Sequence, residues 1–296
     1  AKRVIVEFLK CIDFSGTSFT RDPAMESQVE DFFRTWDNKE RVRPYINTGI
    51  STAEAAYAHI SSTNVKASIA IYTALIAIMD DPRMFSSSHC HDIPQKLFLG
   101  SVQQEGNNVE SSILRIVAMF WDVYPPLNAS MMATATLGFI NGCLLENGIG
   151  ICRAMPFVEL QRNLSGASIA FACFIWEKSR FPDEAVYVQA LPDAAEAMNR
   201  INDILSFYKE VLEGDTSAYV SNRVVVTGKP VQEVLHEIVA EAVTAVERAR
   251  GLILTEEARG VWDSFVIGFI LFHVNDPRYR LSEFLGDEYL IDVDKH

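Results

Sequence analysis

Apolar residues recur at helical spacing along most of this chain, while the strict alternation that is typical of strands is scarce. Only residues 219–228, "YVSNRVVVTG", alternate in a strand-like way. The helical pattern predicts helices at residues 25–35, 53–59, 65–81, 93–104, 109–123, 129–146, 157–176, 183–210, 231–250 and 255–273. We therefore expect an all-α fold.

Short turn signals separate these predicted helices, and none of the intervening segments is a long, low-complexity linker. We expect residues 1–296 to form a single α-helical domain whose helices pack as one bundle. Aromatic residues on several predicted helices are candidates for a common interior, namely Tyr72, Phe174, Trp176, Phe265, Phe269 and Phe272.

Composition narrows the functional classes. The chain has 296 residues, 49% of them hydrophobic, and its net charge of -13 gives an unfavourable field for DNA, RNA and anionic lipid. The longest apolar run, residues 69–79, is shorter than the roughly 20 residues that a membrane helix needs. Five scattered cysteines without a C-x-x-C pair predict neither a disulfide framework nor a zinc site. We expect a soluble cytoplasmic protein with no nucleic-acid partner and no membrane span.

Asn202, Ser206 and Glu210 lie four residues apart in "NDILSFYKE", inside a strongly helical run. Steps of four advance about 6 Å and drift only about 40° around a helix, so these three side chains form an oxygen ladder on one face. Magnesium prefers such hard oxygen ligands and takes waters or substrate phosphates for the rest. Lys209 would then point toward an anion held by the metal. A solvent-facing polar stripe is the alternative interpretation.

Asp80 and Asp81 end the apolar segment "IAIYTALIAIMDDP", where Pro82 disfavours a helical conformation in the residue before it. A helix dipole repels negative charge at this end, so the pair predicts a nearby metal ion or a basic partner such as Arg83. A frayed, exposed helix end is the alternative.

Arg278 and Tyr279 follow an Asp-Pro turn in "NDPRYRLSE". Arginine binds phosphate through two parallel hydrogen bonds, and tyrosine adds a directional donor. The motif therefore suggests anion binding, although basic residues after such a turn are also an ordinary surface feature.

Together these motifs resemble those of class I terpene synthases. "NDILSFYKE" resembles the second metal-binding motif of that class, "MDD" its Asp-rich motif, and "DPRYR" its Arg-Tyr pair, in the same order. "SFYKE", "RYRLSE", "FINGCLLE" and "YAHISSTNVKASIAIYT" are most similar to the fungal trichodiene-synthase-like group. The resemblance extends over roughly residues 50 to 285.

The resemblance implies a helical bundle around an apolar cavity, with magnesium ions holding a prenyl diphosphate at its mouth. Loss of diphosphate would leave a carbocation that the cavity steers. Metal ligands would be Asp80, Asn202, Ser206 and Glu210, and the diphosphate would be held by Lys209, Arg162, Arg278 and Tyr279. By position in "LQRNLSG", Arg162 resembles the diphosphate sensor and Gly166 the helix break that faces the cation.

One position departs from the family pattern, because Met84 stands where a further acid is usual after the Asp pair. We therefore expect Asp80, rather than Asp81, to be the principal metal ligand of this motif. His89, Cys90, His91 and Asp92 lie nearby, but such soft and borderline ligands suit zinc rather than magnesium, and a polar loop is the preferred interpretation.

The favoured function is a sesquiterpene synthase that acts on farnesyl diphosphate and forms a hydrocarbon or an alcohol. The close alternative is a monoterpene or linear terpene alcohol synthase of the linalool or nerolidol type, acting on geranyl or farnesyl diphosphate. A chain-elongating prenyltransferase normally carries a pair of DDxxD motifs, whereas this chain has a single truncated one. A non-catalytic helical binding protein is the fourth alternative. The oligomeric state is open, with a homodimer as one candidate.

Overall fold

The computed structural model describes residues 1–16, 20–99, 106–148 and 152–290. In these ranges the backbone is helical with no β-strand, so the prediction of an all-α fold is confirmed. The α-helices are α1 (Lys2–Cys11), α2 (Pro23–Phe33), α3 (Lys39–Ala55), α4 (Thr63–Asp80), α5 (Pro82–Ser87), α6 (Ile93–Leu99), α7 (Val109–Val123), α8 (Pro126–Gly148), α9 (Met155–Ser165), α10 (Ser168–Cys173), α11 (Leu191–Glu213), α12 (Tyr219–Thr227), α13 (Val231–Leu252) and α14 (Glu256–Asn275). Short 3₁₀ turns occupy Cys90–Asp92, Glu184–Val186, Val188–Ala190, Pro277–Tyr279 and Leu281–Glu283.

Local capping explains several helix starts. Ser62 accepts a hydrogen bond from the backbone N–H of Val65 at the start of α4, and Asn108 accepts one from Ser111 at the start of α7. Such caps satisfy backbone donors that have no partner inside the helix. The observed α7 coincides with the prediction for residues 109–123, and the predicted helix at 93–104 runs past the described residues.

Other boundaries differ from the sequence predictions. The strand-like residues 219–228 form helix α12, because Tyr219, Val220 and Arg223 face inward and Arg223 pairs with Glu237 and Glu241 of α13. Tertiary packing has overridden the β-branched composition there. The helix predicted at 157–176 is divided into α9 and α10, and α11 begins only at residue 191, after two 3₁₀ turns. Helix α1 and most of α3 were not predicted.

Two glycines allow helix α3 to approach both α4 and α14 closely. A Cβ atom added to Gly49 would lie 2.2 Å from the carbonyl oxygen of Ala70, and one added to Gly268 would lie 2.1 Å from that of Ala55. Side chains at these positions would force the helices apart. The close approach aligns α3, α4 and α14 as one wall of an internal cavity.

Aromatic rings close the interior beside this cavity. Tyr72, Phe120 and Phe174 are fully buried and meet edge to face, with ring centroids 4.9 Å apart for Phe120–Phe174 and 5.2 Å for Tyr72–Phe174. Phe171 packs on the same group, 5.7 Å from Tyr72, and also faces the cavity. Trp176 and Phe265 are buried in the core as well, whereas Phe269 and Phe272 line the cavity.

Among the described residues no helix combines the length and the apolar character that crossing a bilayer requires.

Candidate active site

One cavity of about 300 Å³ brings together every site residue that the sequence suggested. This volume lies at the lower end of the usual range for ligand pockets. The predicted residues that line it are Asp80, Arg162, Gly166, Asn202, Ser206, Lys209, Glu210, Arg278 and Tyr279.

The oxygen ladder lies on α11 and faces this cavity. Ser206 Oγ donates a hydrogen bond to Glu210 Oε1 at 2.5 Å, so two of the three ligand groups are already in contact. Burial is the largest cause that raises the pKa of Glu210, to about 7, and the nearby carboxylate of Asp203 adds to it. Lys209 also lines the cavity, with its Nζ 3.8 Å from Glu213 on the surface side. Of the three ladder groups only Glu210 can carry a negative charge, and Asn202 and Ser206 add neutral oxygen atoms on the same side of the cavity.

Asn202 is oriented by His273, which the sequence analysis did not identify. The ring Nδ1 of His273 lies 2.7 Å from the carbonyl oxygen of Phe269 and must donate to it, so Nε2 accepts a hydrogen bond from Asn202 Nδ2 at 3.0 Å. Burial, followed by the charges of neighbouring cations, lowers the pKa of His273 to about 3, so the ring is neutral at physiological pH. Asn202 Oδ1 is thereby left to face Arg162 and the cavity.

Asp80 and Asp81 have different environments although they are adjacent. Asp80 lines the cavity, where desolvation raises its pKa and the charges of Arg278, Lys209 and Arg162 oppose that rise. Asp81 does not line the cavity. Its carboxylate accepts hydrogen bonds from the Tyr45 hydroxyl at 2.8 Å and from the backbone N–H of Arg83 at 2.8 Å. Asp81 thus caps α5 while Asp80 faces the ladder's cavity.

Met84, which replaces the usual acid, is buried and does not line the cavity. Its backbone N–H instead points to the carboxylate of Asp81 at 3.4 Å. The departure from the family pattern therefore coincides with a position that packs in the core.

Arg162 is held in place by three acceptors on α11. Its Nε donates to Asp203 Oδ1 at 2.7 Å, and its Nη2 donates to Asn199 O and Asn202 Oδ1, both at 3.1 Å. Asp203 and Asn199 were not predicted. Asp203 is almost fully buried, and Arg200 lies on its other side, 3.7 Å away. A buried carboxylate between two guanidinium groups fixes the position of Arg162 while leaving part of its charge for the cavity.

Gly166 ends α9 next to this arginine. A Cβ atom at this position would lie 2.3 Å from Asn199 Oδ1 and 2.9 Å from Arg162 Nη1, so only glycine fits without moving both groups. The following residue, Ala167, has a φ of 47° and breaks the chain between α9 and α10. Gly166 itself lines the cavity at this break.

Arg278 and Tyr279 lie in the 3₁₀ turn after α14. The carboxylate of Asp276 caps this turn by accepting from the backbone N–H of Arg278 at 2.9 Å. Arg278 Nη2 donates to the Tyr279 hydroxyl at 3.4 Å, and the centroid of the Tyr279 ring lies 4.5 Å from that of His273, with the two rings tilted by 44°. The turn thus joins the anion-binding candidates to the histidine that orients Asn202.

Charged residues gather at one end of the cavity. Asp80, Glu146 and Glu210 lie near the C-terminal ends of α4, α8 and α11, and Arg278 follows α14. Desolvation and the charge of Asp80 raise the pKa of Glu146 to about 7, which shows that these ends are close together. Glu146 was not predicted as a site residue, although it belongs to the quoted stretch "FINGCLLE".

Several apolar side chains also line the cavity, with polar residues such as Gln161 and Ser168 among them. The apolar ones include Ile76 and Ala77 of α4, Phe139 of α8, Phe171 of α10, and Phe269 and Phe272 of α14. An apolar chamber thus adjoins an end that carries both carboxylates and cations. This arrangement suits a ligand with a charged head and a hydrocarbon tail.

His89, His91 and Asp92 form a separate group whose ligand atoms lie within 4.8 Å of one another. None of the three lines the cavity. His91 Nε2 lies 3.4 Å from Asp92 Oδ1. Cys90, which lies between His89 and His91 in the sequence, is buried. The group is a polar turn outside the candidate site.

Comparisons with known proteins identify the family and the fold. The family model described as Trichodiene synthase (TRI5) matches residues 3–296. Terpene synthase 29 of Postia placenta is 42% identical over 293 residues, which is 96% of this chain and 84% of the relative. Monoterpene synthase 25 of the same fungus is 38% identical over 295 residues, 98% of this chain and 89% of the relative. The linalool/nerolidol synthase of Streptomyces clavuligerus has a similar fold, with a TM-score of 0.61 at 9% identity, over 86% of this chain and 96% of that one.

Proposed function

The chain belongs to the trichodiene synthase family of terpene synthases, and we propose that it ionises a prenyl diphosphate and converts the resulting carbocation to a terpene. The observation that carries this proposal is the single cavity in which the oxygen ladder, Asp80 and three cations meet at one end and apolar walls continue from it. Farnesyl diphosphate is the first-choice substrate.

The ligand groups fit magnesium. Asn202, Ser206 and Glu210 present an amide, a hydroxyl and a carboxylate oxygen from one helix face, and Asp80 adds a carboxylate from α4. Burial is the largest cause that raises the pKa values of Glu210 and Asp80, and a cation bound beside such desolvated carboxylates would stabilise their charged form. Bound magnesium would supply positive charge that neutralises the diphosphate. The sequence has no soft ligand among these four positions.

Arg162, Lys209, Arg278 and Tyr279 would bind the diphosphate. They stand where negative charge develops as the carbon–oxygen bond breaks, and fixed donors of this kind stabilise a transition state without having to reorganise. Arg162 is already fixed by Asp203 and Asn199, so it presents its remaining donor without further ordering. The backbone carbonyl of Gly166 would face the developing cation.

The apolar chamber would protect and steer the cation. Aromatic faces attract cations by about 0.5 to 2 kcal/mol each, and Phe139, Phe171 and Phe269 contribute three such faces. Exclusion of bulk water prevents random quenching of the cation. The contour of these walls would therefore decide which carbon skeleton forms.

Geranyl diphosphate is the second candidate substrate. One relative is named Monoterpene synthase 25, and the cavity lies at the small end of the range for ligand pockets.

A cytoplasmic location is proposed because all five cysteines are free, as expected in a reducing compartment.

Product analysis tests the proposal. Purified protein is incubated with magnesium and geranyl, farnesyl or geranylgeranyl diphosphate, and both diphosphate release and volatile products are measured. We expect diphosphate release and a terpene product from farnesyl or geranyl diphosphate, with no requirement for isopentenyl diphosphate. Product formation only when isopentenyl diphosphate is added would show a chain-elongating prenyltransferase instead, and no release from any substrate would refute the proposal.

A further inference from the structure

Three threonines interrupt the apolar wall of the cavity. Thr48 and Thr52 of α3 and Thr73 of α4 all line the cavity, and all three are buried. Thr73 lies away from the charged end, since Asp80 comes seven residues later on the same helix, which corresponds to about 10 Å. Thr73 would therefore lie beside the hydrocarbon part of a bound substrate, and Thr48 and Thr52 line the same cavity from α3.

The three threonines lie near the crossing of α3 and α4. Thr48 and Thr52 are four residues apart and share a helix face. Gly49, next to Thr48, approaches the backbone of both Ala70 and Ala74, which flank Thr73 on one face of α4. The close contact at Gly49 thus brings the two threonine-bearing faces together at the cavity.

Each threonine hydroxyl donates its hydrogen bond to a backbone carbonyl of its own helix. Thr48 Oγ1 donates to Pro44 O at 3.2 Å, Thr52 Oγ1 to Thr48 O at 2.7 Å, and Thr73 Oγ1 to Ile69 O at 2.8 Å. A hydroxyl carries one proton and two lone pairs, so these oxygens can only accept further hydrogen bonds. The cavity wall therefore contains three acceptors and no free donor at this point.

Such a group of acceptors selects a water molecule and orients it. A water held at a buried site needs two to four polar partners, and here it would donate both of its protons to threonine oxygens. Its own lone pairs would then point away from the wall toward the centre of the cavity. A water in this orientation is a nucleophile directed at a carbocation.

We propose that Thr48, Thr52 and Thr73 bind a water molecule that captures the carbocation, so that the main product is a terpene alcohol. This inference rests on the proposed function. The carbon–oxygen bond to diphosphate breaks, and its electron pair leaves with the diphosphate. The oxygen of the water forms the new bond to the cationic carbon, and the released proton passes to the diphosphate.

Isotope labelling tests the source of the oxygen. The protein is incubated with its substrate and magnesium in ¹⁸O-enriched water, and products are analysed by gas chromatography and mass spectrometry beside an assay of diphosphate release. We expect an alcohol as the main product, with ¹⁸O on carbon. An alcohol that keeps ¹⁶O would come from hydrolysis at phosphorus, and a product mixture without alcohol would mean that the threonines only line the wall. A product mixture without alcohol would overturn the inference while diphosphate release would still support the proposed function, whereas an alcohol that keeps ¹⁶O would show hydrolysis without ionisation and would contradict both.

Variants test the role of the threonines. Thr73→Val and Thr48→Val replace the hydroxyl by a methyl group of similar size, and each should lower the alcohol fraction of the total product about tenfold, the effect of one lost hydrogen bond. Thr73→Ser keeps the oxygen and should keep the alcohol. Thr134→Val is the matched control, because Thr134 is a helical threonine that likewise donates to the carbonyl four residues before it, Ser130 O, but is exposed and does not line the cavity.

The alcohol fraction is a ratio, so it does not depend on the yield of folded protein. An unchanged alcohol fraction in both Thr48→Val and Thr73→Val would refute the water site, as would an equal fall in Thr134→Val. No diphosphate release by the wild type would instead overturn the proposed function, and the inference with it.

Discussion

Replacing Asp81 by alanine should destabilise the fold, whereas replacing Asp80 by asparagine should reduce turnover without destabilising it. The two carboxylates are adjacent in sequence, but only Asp80 lines the cavity. Asp81 accepts hydrogen bonds from Tyr45 and from the first backbone N–H groups of α5. The pair therefore provides an internal comparison between a structural and a functional acid.

The contacts of Asp81 set the size of the loss. Removing the cap of α5 costs about 0.5 to 2 kcal/mol, and losing the hydrogen bond from Tyr45 to a charged acceptor costs about 1.5 to 3 kcal/mol. The pairing with Arg83 adds little, because the Arg83 side chain is 83% exposed and such pairs are screened by solvent. We expect Asp81→Ala to lower the free energy of unfolding by about 2 to 5 kcal/mol.

The loss should depend on pH in a defined direction. The hydrogen bond from Arg83, followed by that from Tyr45, holds the pKa of Asp81 well below its ordinary value. A lowered pKa contributes stability above the unfolded value of about 3.9, and this contribution disappears as pH falls through the folded value. The difference in stability between wild type and Asp81→Ala should thus be full at pH 7 and shrink below about pH 4.

Urea unfolding followed by circular dichroism measures stability, and diphosphate release at saturating magnesium measures turnover per folded molecule. Asp80→Asn should lower turnover about 10²- to 10³-fold, as when one preorganised electrostatic group is lost. It should leave stability unchanged or raise it by a few tenths of a kcal/mol, since it removes an anion from the C-terminal end of α4. Equal losses of turnover in the two variants, or a stability loss at Asp80 as large as that at Asp81, would refute the division of roles.

Three further changes test other parts of the site. His273→Phe leaves Asn202 Nδ2 without a hydrogen-bond acceptor. This variant should bind pyrophosphate in the presence of magnesium about 10- to 100-fold more weakly, with an unchanged circular dichroism spectrum. Binding equal to that of the wild type would show that Asn202 does not need the hydrogen bond to His273. Gly166→Ala places a methyl group 2.3 Å from Asn199 Oδ1. It should lower the free energy of unfolding in urea by about 1 to 3 kcal/mol and also reduce turnover. Unchanged stability and turnover would contradict the close packing at this position. Burial raises the pKa of Glu210 to about 7, so the contribution of Glu210 to stability is present below about pH 4.3 and is lost as pH rises through 7. Thermal unfolding of the metal-free protein should show this loss of stability with rising pH. Glu210→Gln should remove the pH dependence.

Much of the site could be predicted from sequence because its spacing is local. Asn202, Ser206 and Glu210 share a helix face as a direct result of helical geometry, and Asp80 is placed by the proline that follows α4. No local rule connects Asp80 to Arg278 nearly two hundred residues later. The family resemblance supplied that connection, and the structure brings both residues to one end of the cavity.

The residues that were missed depend on tertiary contacts. His273 lies on an apolar helix and is identified only by its hydrogen bond to Asn202. Asp203 could not be separated from an ordinary helix residue until its contact with Arg162 was visible. The division between α9 and α10 depends on the left-handed backbone of Ala167, a conformation that alanine rarely adopts and that composition does not indicate.

Calorimetric titration of inorganic pyrophosphate into the protein, with and without magnesium, tests whether the oxygen ladder and Asp80 bind magnesium together with a diphosphate held by the cationic side chains of the same cavity. We expect tight binding only when magnesium and pyrophosphate are both present, and loss of that binding in Asn202→Ala. Equal binding without magnesium, or wild-type binding by Asn202→Ala, would contradict this expectation.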